Sequence, residues 1–182
     1  MLKKAWKILR SVPLQNLRLF TARFDYLINP RNGKEVEIVV LSGGHAVNIT
    51  ALTPDNEVVM IHQYRYGIHD YTTEIPGGLI DAGEEPLTAA RRELREETGF
   101  SGDDWVYLGK IPQNPVFQDS FVHHFLLKNA VMTDSTEFDE AEDIELLKLP
   151  LAEVKAGLFA GRFQHPHTVS ALALALRELQ EI

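Results

Sequence analysis

Along the first third of the chain, apolar residues alternate with polar ones at the two-residue period of a β-strand. Phe20, Phe24, Tyr26 and Ile28 form one such set, and the sequence Pro30-Arg-Asn-Gly33 that follows is typical of a hairpin turn. The further strand candidates in this region are Val36–Leu41, Ala46–Leu52 and Val58–Gln63. The first third is therefore predicted to be rich in β-structure.

The period changes to that of a helix at Pro86–Thr98, where Leu87, Ala90 and Leu94 form one apolar stripe. Pro86 suits the first helical position, and Gly99 suits the position just past the end. The same patterns predict strands at Trp105–Ile111, Phe121–Leu127 and Ile144–Leu149, and helices at Leu151–Phe159 and Thr168–Leu179. Strands and helices in this order predict an α+β fold of mixed layers.

Composition narrows the function classes. The 182 residues suit one domain with an additional arm, and the absence of cysteine excludes thiolate chemistry and fits a reducing cytoplasm, where we place the protein. A net charge of -8 argues against a nucleic-acid partner, but a small phosphate compound remains possible because a bound cation can supply positive charge. Lys7 and Arg10 interrupt the apolar residues of the basic N-terminal stretch, so it lacks the apolar core of a signal peptide. No apolar run in the chain predicts a membrane span.

Three carboxylates crowd one side of the predicted helix Pro86–Thr98. Glu93, Glu96 and Glu97 share an arc of about a quarter turn beside the apolar stripe, given about 100° per residue. Such a run is most often a solvated face, but crowded carboxylates also suit a hard divalent cation, which prefers oxygen ligands. The loop before the helix contains Pro76-Gly-Gly78, whose backbone could approach an ion or a phosphate closely.

The spacing around these glutamates resembles the Nudix box, G-x5-E-x7-R-E-U-x-E-E-x-G-U, in which U is a bulky apolar residue. The matching positions are Gly78, Glu84, Arg92, Glu93, Leu94, Glu96, Glu97, Gly99 and Phe100. Nine specified positions within 23 residues make a specific signal. The resemblance implies a Nudix fold, an α/β/α sandwich around a mixed sheet.

The resemblance also implies a metal site in the box. Glu93 and Glu97 would be the main ligands of Mg²⁺ or Mn²⁺, with Glu96 a further ligand and catalytic residue and the carbonyl of Gly77 often contributing. Two or three ions would bridge the carboxylates and a diphosphate and position a water for attack on phosphorus. The residues that would hold the box in shape are Glu84 and Arg92.

Two flanking motifs are similar to those of the ADP-ribose and nucleoside diphosphate sugar pyrophosphatases. These motifs are Gln63-Tyr-Arg-Tyr66 and Glu74-Ile-Pro-Gly-Gly78, and Pro115 lies 15 residues beyond Phe100, where that subfamily has a proline. The expected reaction is hydrolysis of a nucleoside diphosphate sugar, of the ADP-ribose, ADP-sugar or GDP-sugar type, to a nucleoside monophosphate and a sugar phosphate. The stretch from Gln113 to Asp119 departs from the Ser-Pro-Gly of ADP-ribose enzymes, so base and sugar stay open.

Substrate-binding roles follow by position. Arg65 is expected to grip a phosphate, with a surface ion pair as the alternative, and Glu74 either contacts the sugar or braces the loop. Pro115 belongs to the substrate-binding set, and Tyr26 is a candidate for stacking on the base. In similar pyrophosphatases a glutamate on a loop far beyond the box takes the proton from water. The candidates here are Glu140, slightly preferred, and Glu142.

The histidines carry less weight in this interpretation. His123 and His124 would point to opposite faces of a strand, and His165-Pro-His167 precedes a helix, where it could be only a capping turn.

Enzymes of this kind are usually homodimers whose N-terminal strands reach the partner's substrate pocket. We therefore expect a β-rich dimerisation arm at 1–44 and a Nudix domain at 45–182. The alternatives are an RNA 5′-pyrophosphohydrolase on the same fold, and a non-catalytic nucleotide sensor, which would normally have lost box carboxylates. Isopentenyl diphosphate isomerase is excluded because its active site needs a cysteine.

Overall fold

The computed structural model describes residues 5–138 and 143–181 of the chain. The strands are β1 (Lys7–Asn16), β2 (Phe20–Ile28), β3 (Glu35–Gly43), β4 (Ala46–Leu52), β5 (Glu57–Arg65), β6 (Asp70–Glu74), β7 (Phe100–Ser101), β8 (Asp104–Pro112), β9 (Phe121–Lys128), β10 (Val131–Met132) and β11 (Ile144–Pro150). The helices are α1 (Pro86–Thr98), α2 (Leu151–Phe159) and α3 (Pro166–Glu178). Two compact units result: a first unit of the described residues up to His45 with 112–121, and a second unit of the rest.

The first unit is built on an antiparallel sheet in the order β1-β2-β3. The predicted Asn-Gly hairpin joins β2 to β3, and Gly33 takes a left-handed conformation there with φ 72°. Arg23 links this sheet to the segment 112–121, because its guanidinium pairs with Asp119 at 2.8 Å and with Asp25 at 3.0 Å. The strand β1 was not predicted, and every one of its residues is exposed.

The second unit contains a mixed six-stranded sheet in the order β11-β5-β4-β9-β8, with β6 paired to β5. The strands β4 and β9 run parallel, whereas β5 is antiparallel to β4, β6 and β11. One half of β5 pairs with β4 and the other half with β6, so β5 is a central strand along its whole length.

Alternate residues of β5 serve two cores on opposite faces of the sheet. Val59 packs in a cluster with Leu94 of α1, and its neighbours Val58 and Met60 pack in a cluster with Leu172 of α3. Helix α1 therefore covers one face of the sheet and α2 and α3 cover the other. This arrangement confirms the predicted α/β/α sandwich with a mixed sheet.

Helix α1 has the bounds that its sequence predicts. Pro86 occupies its first turn, and Gly99 ends it in a left-handed conformation with φ 72°, its amide donating to the Arg95 carbonyl. The buried residues of α1 include Ala89, Ala90 and Leu94, whereas Leu87, placed in the stripe from sequence, is 36% exposed. Among residues 5–138 and 143–181, no helix combines the length and apolar composition needed to cross a bilayer.

Candidate active site

The loop before α1 lies directly against β4. The amide of Val47 donates to the Gly78 carbonyl and that of Ile49 to the Pro76 carbonyl, both at 2.9 Å. A side chain on Gly77 would collide with the Val47 carbonyl. A Cβ on Gly78 would lie 2.5 Å from the carboxylate atoms of Glu93. Gly77 therefore needs glycine because the backbone of β4 approaches it, whereas a Cβ at Gly78 would displace the Glu93 carboxylate.

The predicted metal ligands meet in one pocket of ≈ 620 Å³ within the second unit. The residues that line it are Gln63, Arg65, Gly77, Gly78, Leu79, Asp81, Arg92, Glu93, Glu96, Glu97, Glu137 and Phe138. Glu97 is only 3% exposed, and one of its oxygens accepts the Gly77 amide at 2.8 Å. The structure thus brings together all four residues predicted to bind metal, although Gly77 contacts Glu97 through its amide.

Arg92 organises the other carboxylates of the box. Its guanidinium donates twice to Glu84, at 3.1 and 2.9 Å, and also to Glu93 at 2.7 Å and Glu96 at 3.3 Å. A further bond to the Leu79 carbonyl at 3.0 Å fixes the loop. Hydrogen bonds from Arg92 and from a backbone amide lower the pKa of Glu84, and the bonds to Glu84 raise the pKa of Arg92.

The donor set fits a hard divalent cation. Glu93, Glu96 and Glu97 offer carboxylate oxygens on one helix face, and such oxygens are the ligands that Mg²⁺ and Mn²⁺ prefer. Among the described residues, no group of three or more acidic, histidine or cysteine side chains is already positioned to hold one metal ion. Arg92 contacts one oxygen of Glu93 and one of Glu96, and the Gly77 amide contacts one oxygen of Glu97.

Arg65, which lines the same pocket, forms a bidentate ion pair with Glu74. The Nε and Nη2 atoms of Arg65 each lie 2.6 Å from one oxygen of Glu74. Glu74 is fully buried, whereas the Arg65 side chain is 39% exposed and lines the pocket. Burial acts to raise the pKa of Glu74, but the hydrogen bonds from Arg65 and Thr72 and the charge of Arg65 act in the opposite direction, and the pKa lies below its usual value.

The remaining predicted site residues lie elsewhere in the chain. Tyr26 and Pro115 belong to the first unit, where the Tyr26 hydroxyl donates to Glu37 at 2.5 Å and Pro115 is exposed. The Arg10 guanidinium lies 3.7 Å from the centre of the Tyr26 ring. Glu140 and Glu142 lie outside the described residues. The roles assigned to these four candidates stay predictions.

Sequence reasoning missed part of the pocket wall. Gln63 lies two positions before Arg65 on the same face of β5, so strand alternation could have identified it. Glu137 and Phe138 reach the pocket from a loop, and the Glu137 amide donates to the Glu96 carbonyl at 2.8 Å. No periodic signal marks loop residues of this kind.

Comparison with known proteins agrees with the fold and the box. The NUDIX domain family model matches residues 44–172. The methanol dehydrogenase activator of Bacillus methanolicus is 31% identical over 180 residues, 96% of each chain, and an ADP-ribose pyrophosphatase of Mycobacterium tuberculosis is 30% identical over 93% of this chain and 80% of its own. A crystal structure of an ADP compounds hydrolase superposes with a TM-score of 0.85 at 29% identity, covering 98% of this chain and 96% of that chain. The family predicted from the box is confirmed, and the chain belongs to the Nudix family.

Proposed function

We propose that this protein is a divalent-metal-dependent pyrophosphatase that hydrolyses a nucleoside diphosphate sugar of the ADP-ribose or ADP-sugar type. The products are a nucleoside monophosphate and a sugar phosphate. The observation that carries the proposal is the convergence of Glu93, Glu96 and Glu97 with Arg65 in one pocket. Similarity to a chain named ADP-ribose pyrophosphatase and to an ADP compounds hydrolase supports the choice of substrate class.

Nudix ADP-ribose pyrophosphatases generally depend on a divalent metal. We propose that two or three Mg²⁺ or Mn²⁺ ions bind here, held by Glu93, Glu96, Glu97 and the Gly77 carbonyl. The bound ions supply neutralisation of the diphosphate charge and an acidified water. Arg92 holds Glu93 and Glu96 in place from one side, while the Gly77 amide holds Glu97 from the other. This bracing keeps three like charges together before substrate arrives.

The protein's own residues would bind substrate and move the proton. Arg65 can donate to phosphate oxygens at the pocket edge, since a guanidinium presents several N–H groups in one plane. Glu140 or Glu142 would take the proton of the attacking water, and Glu137, which lines the pocket, joins them as a candidate. Each is tested by its Gln variant, and loss of kcat of about a hundredfold or more identifies the base.

A substrate panel tests the function. It holds ADP-ribose, ADP-glucose, GDP-mannose, UDP-glucose, a dinucleoside polyphosphate and a triphosphorylated RNA, each assayed with Mg²⁺ for the wild type and Glu97→Gln. Glu85→Gln is the matched control, because Glu85 is an exposed carboxylate at the start of the same helix. We expect turnover of a nucleoside diphosphate sugar that Glu97→Gln abolishes and the control retains.

Other outcomes of the same panel would overturn the proposal. Turnover of the RNA alone would identify a 5′-pyrophosphohydrolase. Tight binding of a nucleotide in Mg²⁺ without turnover would identify a sensor. Turnover unaffected by Glu97→Gln would remove the box from the reaction.

We further propose that two copies pair through the N-terminal arm and exchange it. In the first unit, β1 exposes a row of apolar side chains, among them Ile8, Leu9, Val12 and Leu14, each at least 40% exposed. Apolar surface of this extent on a strand is typical of an association surface. Mass measurement in solution should give twice 20.6 kDa, and a monomer at all concentrations would contradict the pairing. The cytoplasmic location stays a prediction.

A further inference from the structure

The Glu74 carboxylate that accepts two hydrogen bonds from Arg65 also contacts Thr72 and His165. The Thr72 hydroxyl donates to the same Glu74 oxygen that accepts Arg65 Nε. The second oxygen, Oε2, which accepts Arg65 Nη2, lies 3.1 Å from Nδ1 of His165. Because Glu74 is fully buried, its orientation depends on these neighbours rather than on solvent.

His165 is held in this place by the start of α3. It is the residue before Pro166, whose ring fixes the first helical position, and the His165 side chain is 24% exposed. Its Nδ1 also lies 3.2 Å from the hydroxyl of Thr168, a residue with no exposed surface. The Thr168 hydroxyl in turn accepts the Ile75 amide at 3.4 Å, next to Glu74 in the chain. The helix start and the site loop are therefore joined through His165 and Thr168.

The chemistry of the pair requires a particular tautomer. Glu74 is ionised, since its pKa lies below the usual value, and an ionised carboxylate only accepts hydrogen bonds. Burial, opposed by Glu74 and assisted by Arg65 and His167, lowers the pKa of His165, so the ring is neutral at neutral pH. We assign the tautomer with the proton on Nδ1, because an unprotonated Nδ1 would place two acceptors 3.1 Å apart.

We infer that His165 is a positioning residue for the proposed hydrolysis: its Nδ1–H donates to Glu74 and thereby fixes the angle at which Arg65 enters the pocket. The inference rests on the proposed function for its kinetic consequence. His165 does not line the pocket, so it acts on a substrate phosphate only through Glu74 and Arg65. Without the Nδ1–H, Oε2 of Glu74 keeps only the Arg65 bond, and the carboxylate is free to rotate with the guanidinium.

The kinetic test compares two replacements of His165. Leucine is similar in size and lacks the donor, whereas the side-chain amide of asparagine places an N–H near the position of Nδ1. We expect His165→Leu to raise KM for the nucleoside diphosphate sugar about tenfold with a smaller change in kcat, and His165→Asn to restore most of the loss. His123→Leu is the matched control on β9 and should leave KM unchanged.

A double-mutant cycle with Arg65→Gln separates positioning from general damage. If His165 acts through Arg65, His165→Leu has little further effect on KM once Arg65 has been replaced. Equal fold-changes in both backgrounds would overturn the inference. Failure of His165→Asn to improve on His165→Leu would overturn it as well.

A spectroscopic readout keeps the test independent of turnover. In a ¹⁵N-correlated NMR spectrum, the Arg65 Nε–H signal, assigned by its loss in Arg65→Lys, should be sharp and slow to exchange in the wild type. It should weaken or exchange at least tenfold faster in His165→Leu and recover in His165→Asn. An unchanged signal in His165→Leu refutes the inference even if no substrate is found. Absence of turnover in the wild type alone refutes the proposed function instead.

Discussion

Replacement of Gly78 by alanine should lower the rate of hydrolysis and leave the stability of the fold almost unchanged. The added Cβ would lie 2.5 Å from the carboxyl carbon and both oxygens of Glu93, and an ordinary contact begins at 3.4 Å. The carboxylate must therefore retreat by about 0.9 Å, or its side chain must adopt another rotamer. Because the obstructing atoms are the far end of a flexible side chain, the fold can absorb the change.

The magnitude follows from the role proposed for Glu93. A displacement of about 1 Å in a group that positions reacting atoms costs about a hundredfold in rate. We expect kcat/KM of Gly78→Ala to fall by about that factor and the Mg²⁺ concentration for half-maximal rate to rise. The free energy of unfolding should change by less than about 1 kcal/mol, as for other replacements that strain no backbone.

The assay is initial-rate hydrolysis of the best substrate of the panel across a Mg²⁺ titration, with urea unfolding of the same preparations. Gly67→Ala is the matched control, since a Cβ there meets no atom within 4 Å. Retention of wild-type kcat/KM within threefold by a folded Gly78→Ala would refute the assignment of Glu93 as a metal ligand. A large loss of stability would instead show that Glu93 cannot yield.

Three further outcomes are expected. Leu94→Ala should lower the free energy of unfolding by about 3 kcal/mol in urea, because Leu94 is fully buried, while Leu87→Ala should cost less than about 1 kcal/mol. Burial, with smaller effects of other histidines, lowers the pKa of His124 to about 4. Between about pH 4 and pH 6.5, His124 is therefore protonated in the unfolded chain and neutral in the folded chain. The folded state therefore loses stability as the pH falls from about 6.5 toward 4, and the free energy of unfolding should be about 2 kcal/mol lower at pH 5 than at pH 7. If the free energy of unfolding of His124→Gln changes with pH as steeply as that of the wild type, this expectation is wrong. Arg92→Lys should lower kcat/KM more than tenfold in the panel assay, because one ammonium cannot replace the fork to Glu84, Glu93 and Leu79.

Local signals predicted the parts of the fold that local physics determines. The start of α1 at Pro86 and its end at Gly99 follow from the backbone preferences of those two residues. The strands β4 and β9 are mostly buried and rich in apolar residues, and they were predicted to within one residue. In contrast, β1 has no buried face to impose alternation, contains Pro13 and has two register shifts against β2, so its sequence gives no strand pattern.

The candidate site divides in the same way. The box glutamates and Arg92 lie within one helix, so their spacing alone predicted that they share a face. The contact between Glu74 and His165 joins residues 91 positions apart, and it forms only because β6 and the start of α3 meet in the folded chain. Sequence motifs identified Arg65 and Glu74 singly but could not show that they are partners, since pairing is a property of tertiary packing.

The central position of β5 has a consequence for how specificity could be changed. Gln63 and Arg65 lie on a strand bonded to three neighbours, and the box glutamates lie on a helix wedged into a core cluster. Both elements are costly to remodel, whereas Glu137 and Phe138 contribute to the pocket from a loop. The pocket therefore combines residues on elements that resist change with residues on a loop that tolerates it. Directed evolution toward a new sugar or base should therefore vary Phe138 and keep Glu137, a candidate for the base, together with the strand and the helix.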